Sequence, residues 1–132
     1  MARTALTTRT TVRALGLTPA FESFDTVNGN NFTNTQSEVL YVKNTDAAAK
    51  YIHIITPITT DSLPTKDLVV MVAATTEKVI GPFPNSIYGT SGIIELDSYS
   101  AAGVTFDDVT DAVSGTPDST GTTVCVIKLG SL

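Results

Sequence analysis

The sequence predicts an all-β fold, an antiparallel β-sandwich or jelly-roll-like domain with an extended N-terminal arm, and three observations carry that prediction. Threonine is over-used and charged residues make up only 16% of the chain, a composition that suits strands and turns better than helices. The stretch 39–83 contains VLYVKN, YIHIITPI and LVVMVAATTEKVIGPF, runs rich in β-branched and aromatic residues. Asn, Asp, Pro and Gly interrupt these runs at short intervals, as they do between antiparallel strands. At 132 residues the chain has the length of one domain able to bury its own core. The expected division is an arm over residues 1–20 and a sandwich over residues 21–132.

The arm comes first. Its opening, MARTALTTRTTVRAL, carries Arg3, Arg9 and Arg13 and lacks the apolar stretch of a secretory signal, so folding in a cytoplasm is expected. Residues 1–21 hold three Arg and no acid, a charge of +3, whereas the remaining 111 residues hold five Lys and thirteen acids, a charge of −8. A basic arm on an acidic body predicts contact with an acidic protein surface. Leu6, Val12, Leu15 and Leu17 add apolar content that a solvating tail does not need. The candidate partner-binding residues are therefore Arg3, Leu6, Arg9, Val12, Arg13, Leu15 and Leu17. Three Arg so widely spaced, with no aromatics for base stacking, argue against nucleic acid as the partner. Pro19 ends the arm and holds Thr18 extended.

Beyond the arm, Phe21, Phe24 and Val27 predict a short strand or apolar anchor, and Asn28-Gly29-Asn30-Asn31 a turn. Phe32 is expected in the core. Residues 38–43 and 50–56 read as strands and plausible hairpin partners, with Pro57 marking an end or an edge. Residues 68–72, LVVMV, are apolar on both faces, which predicts a central strand. After a turn at 73–77, residues 78–80 pair again, and Gly81-Pro82-Phe83-Pro84 breaks the strand with Phe83 plugging one end of the sandwich. Residues 87–88, then 93–96 with Tyr99 after a glycine-bearing loop at 89–92, read as a strand pair, and 103–106 as a further short strand. The acidic stretch 107–121 reads as an exposed loop. The chain closes on TTVCVIKL, apolar on both faces, which belongs inside a sheet.

No apolar run approaches the roughly 18 residues needed to cross a bilayer, so a soluble protein with no membrane partner is expected. Cys125 is the single cysteine, which rules out an intramolecular disulfide and predicts a small core residue. His53, also single, lies mid-strand between isoleucines, with an ordinary half-buried histidine expected rather than a catalytic base. Asp107, Asp108 and Asp111 do not match the spacing of a calcium loop. There is no phosphate-binding glycine motif and no Trp to line a sugar cleft. No enzyme activity, metal or cofactor is expected.

One resemblance adds to this reading. The run YVKNTDAAAKYIHIITPITTDSLPTKDLVVMVAATTEKVIGPFPNSIYG, closed by VCVIKL, resembles the small capsid decoration (cement) proteins of tailed bacteriophages. The shared features are a VKN turn, TP after an isoleucine-rich strand, a GPFP segment followed shortly by a tyrosine, here Tyr88, and a final V-x-V-x-x-L strand; the opening MARTALTTRTTV is similar as well. The acidic stretch 107–121 is longer than in that pattern. The resemblance implies a β-sandwich or jelly-roll-like virion protein on the outside of the capsid, assembled in the host cytoplasm. Its implied partners are the major capsid protein and further copies of itself, as a dimer or trimer. A tail or head-completion protein, or a fibre-type receptor- or carbohydrate-binding module, shares the composition and is the alternative.

Overall fold

The computed structural model describes residues 3–13, 16–57, 59–60, 63–64, 68–88, 92–100 and 117–130. Among the described residues twelve strands follow in chain order: β1 (Thr4–Ala5), β2 (Thr8–Thr10), β3 (Glu22–Ser23), β4 (Asn30–Thr33), β5 (Glu38–Asn44), β6 (Lys50–Ile54), β7 (Thr59–Thr60), β8 (Leu63–Pro64), β9 (Leu68–Val72), β10 (Glu77–Ile80), β11 (Ile93–Tyr99) and β12 (Thr122–Lys128). Two sheets pack face to face. The first has the order β1-β4-β11-β6-β9, and the second β10-β5-β12, with β2 and β3 sharing the far edge of β12. β7 and β8 pair with each other.

The core lies between the sheets and follows from two-residue alternation along each strand. Leu40 and Val42 of β5 and Val124 and Val126 of β12 form a cluster with Ile52 and Ile54 of β6, Ile94 and Leu96 of β11, Val72 of β9 and Phe32 of β4, all essentially inaccessible. Leu6, Phe24, Ile80 and Phe83 complete it. Phe83 stands 5.9 Å from the Phe32 ring and 5.8 Å from that of Tyr88, in the role expected of an apolar plug. β12 lies between β5 on one side and β2 and β3 on the other, so the last strand is internal, as its two apolar faces predict, and Cys125 is buried.

The pairing departs from expectation in four places. Residues 38–43 and 50–56 form no hairpin, because β5 lies in the second sheet and β6 in the first. The turn between them is an arch across the sandwich, fastened by the buried Asn44. Its amide donates to Ala48 O at 3.0 Å and Val72 O at 3.1 Å, and its Oδ1 accepts from Asp46 N at 3.0 Å. A second arch, between β9 and β10, stacks on it through Thr75 N to Asp46 O and Asn44 N to Thr76 O. β9 is an edge strand, not a central one. Leu68, Val70 and Val72 face the core in register with Ile54, Ile52 and Lys50, while Met71, 45% exposed, lies on the outer face. Residues 87–88 belong to a turn in which both amides donate to Pro84 O, and residues 93–99 are one continuous strand. Finally, the sheets are mixed rather than antiparallel, since β1–β4 and β2–β12 pair in parallel. The expected strand at 103–106 and most of the acidic loop, residues 101–116, lie outside the described residues.

Candidate binding surfaces

Over residues 3–11 the expected arm is woven into the body. β1 adds to the edge of the first sheet and β2 to the edge of the second, so the segment between them crosses the sandwich, and Leu6 is buried there at 7% exposure. Leu6 N donates to Asn31 O at 2.8 Å and Thr11 N to Lys128 O at 2.9 Å. The basic charge finds its acids at home. Arg3 Nη1 donates to Asp97 Oδ1 at 2.9 Å, and its Nε lies 3.3 Å from Glu95 Oε2. Thr4 Oγ1 donates to Asp25 at 2.6 Å and Thr7 N to Glu22 at 2.9 Å. Four carboxylates of the body thus hold residues 3–7. Burial acts against the charge of Arg3, but Asp97 and Glu95 outweigh it and raise its pKa. Asp25, hydrogen-bonded first by Thr4 and then by the Asn28 amide, has its pKa lowered from 3.8 to about 2.

Arg3 and Leu6, expected to meet a partner, are therefore taken up by contacts within the chain. Arg9 is half-buried beside Ile127, Val12 and Arg13 are exposed, and Leu17 is half-buried. Leu15 lies outside the described residues. Gly29 closes the arrangement: at φ +76° its position has no room for a side chain, since a Cβ would collide with Arg3 Nη1 and Asp97 Oδ1.

A second surface, unread in the sequence, is the outer face of the second sheet. Register assigns its rows. Val79, Tyr41 and Cys125 lie on this face across β10, β5 and β12, with Cys125 covered and buried; Val39, Ile127 and Arg9 form the next row across β5, β12 and β2. Leu129, whose amide donates to Ser37 O, extends the face and is 58% exposed, and Val79 is 63% exposed. Glu77, Lys43 and Thr123 form the polar row at the other end. Phe21 packs edge-on against Tyr41 with centroids 5.1 Å apart, and Lys43 Nζ stands 5.9 Å over the Phe21 ring. An outer sheet face is ordinarily polar; this one is apolar over two successive rows. The signal was present in the sequence, because VLYV and VCVI carry apolar residues at both parities, but only the pairing shows that three such strands lie side by side.

A cleft of about 230 Å³ is lined by Arg3, Asp25, Asp97 and Tyr99 among others, the groups that fasten the N-terminal segment. His53 is buried and lies 5.9 Å from the Tyr99 ring. Among the described residues no three His, Cys, Asp or Glu side chains cluster as a metal site would require; Asp107, Asp108 and Asp111 lie outside them. No protein-family model, curated protein or solved structure matches the chain.

Proposed function

We propose that this chain is a capsid decoration (cement) protein, a structural virion protein bound to the outside of a tailed-phage head, where it stabilises contacts between major capsid subunits. The observation that carries this reading is the apolar outer face of the second sheet, where Val79 and Leu129 are exposed and Val39, Tyr41 and Ile127 are half-buried. An apolar sheet face of this kind on an otherwise acidic chain is characteristic of a protein interaction site. The resemblance in sequence supplies the partner.

The framework supports the same reading. The residues that carry the resemblance are those that make the block rigid: Asn44 of the VKN turn fastens the arches, Phe83 of GPFP fills the core, and the final strand runs through the second sheet. On this proposal the winding is jelly-roll-like and the protein acts as a dimer or trimer on the shell. A rigid block bound across subunit boundaries favours the shell state that displays its site, by mass action and without chemistry. The test is sedimentation of expanded, undecorated shells with the purified protein. Saturable binding with shells that withstand heating longer is the expected result. A protein that stays in the supernatant overturns the proposal and moves the reading to a tail or carbohydrate-binding module.

A further inference from the structure

We infer that the outer face of the second sheet docks on a carboxylate-bearing apolar patch of the shell, with Arg9 receiving the carboxylate. The inference rests on the decoration reading and deepens it by naming the face and the chemistry of its partner.

Three observations lead to it. Arg9 sits at the edge of the apolar row formed with Val39 and Ile127, and among the described residues its buried Nε meets no hydrogen-bond partner. The side chain as a whole is only half-buried, and no ion pair meets its guanidinium among the described residues; a carboxylate arriving at the open end of that group would pair with it in bidentate geometry. The other cations near the two sheets are differently placed. Arg3 is neutralised by Asp97 and Glu95, Lys50 by Asp46 at 2.6 Å, and Lys43 rests over Phe21, while Lys78 and Lys128 lie at the other parity, in register with Val42 and Glu38. The apolar side chains around Arg9 supply the water-excluding surroundings in which one such ion pair contributes strongly to binding. On the outward side of the first sheet, Glu95 and Asp97 are engaged with Arg3.

The test compares shell binding by the full chain and by variants at three positions. Arg9→Glu is expected to bind expanded shells about tenfold or more weakly, with Arg9→Lys intermediate, because ammonium lacks the planar fork. Val79→Lys, at a position already 63% exposed, puts a charge into the neighbouring row without touching the core, and is expected to weaken binding comparably. Arg13→Glu, the same charge change at an exposed position, is expected to stay within about twofold of wild type, the size of a long-range steering effect. Equal losses for Arg9→Glu and Arg13→Glu would overturn the inference by reducing it to bulk charge. So would unchanged binding by Val79→Lys, or variants that dissociate an oligomer while still binding shells. A wild-type protein that does not bind refutes the decoration reading itself, a result distinct from variants that bind like wild type.

Discussion

Arg3 and Asp97 meet at 2.9 Å across 94 positions of sequence, and with that contact the beginning of the chain becomes part of the first sheet. The pair is partly exposed, so its Coulomb attraction is screened, but Arg3 Nη1 also lies 3.3 Å from Leu96 O. Replacing Arg3 by Ala is expected to destabilise the protein by about 1–2 kcal/mol in urea unfolding. Gly29→Ala attacks the same contact from the other side. The two losses should be less than additive in a double-mutant cycle, since both remove one arrangement.

Leu6 separates a docked segment from a free one. In the core it contacts side chains of both sheets, and Leu6→Ala is expected to cost about 2–4 kcal/mol through lost burial and the cavity left behind. The exposed Val12→Ala should change stability by less than about 0.5 kcal/mol. Equal small effects at both positions would show that the segment is not docked.

Asn44 fastens two arches and the approach to β12, with Thr122 Oγ1 3.3 Å from its Oδ1. Asn44→Ala leaves the carbonyls of Ala48 and Val72 without their donor and is expected to cost about 2–4 kcal/mol. The companion arch carries a local strain that can be relieved. Thr75 has φ +56°, unfavourable for a β-branched residue. Thr75→Gly is expected to raise stability by about 1 kcal/mol, read as an increase in the urea midpoint.

Acid should loosen the N-terminal segment over a defined window. The pKa of Asp25 is lowered from 3.8 to about 2 in the folded protein, so the folded state binds fewer protons than the unfolded one between these values. Its contribution is fully present above about pH 4 and is lost as the pH falls towards 2. Glu38 acts in the same direction. Burial opposes its ionised form, but hydrogen bonds from Thr35 N, Thr35 Oγ1 and Ser37 N outweigh that and lower its pKa. Asp25→Asn should flatten the thermal-unfolding profile between pH 4 and 2, and the wild-type profile should fall with decreasing pH.

The fold class was legible because it depends on composition and alternation, which are local. The final strand could be placed inside a sheet because TTVCVIKL is apolar at both parities, and Phe83 in the core because the prolines beside it stop the strand. Pairing was not legible. Residues 38–43 and 50–56 look like hairpin partners because they are close in sequence, but they pair in different sheets, and the Asn44 side chain, spanning to Val72 O, fastens the connection as an arch. Residues 68–72 satisfy the pattern of a central strand equally well as an edge strand whose outer face is apolar. For the candidate surface, Arg9 was singled out as part of a basic arm, but its row with Ile127 and Val39 depends on a parallel pairing over more than a hundred residues, which no local pattern encodes.

Amide hydrogen exchange of the protein, free and bound to expanded shells, tests the central claim most directly. The account predicts slow exchange at Leu6 and Thr11 already in the free protein, because those amides bond Asn31 O and Lys128 O. It also predicts protection gained on binding along β10 and β5, beneath the outer face of the second sheet. Rapid exchange over residues 4–11 in the free protein, with protection gained only there on binding, would contradict it and restore a free arm as the binding element.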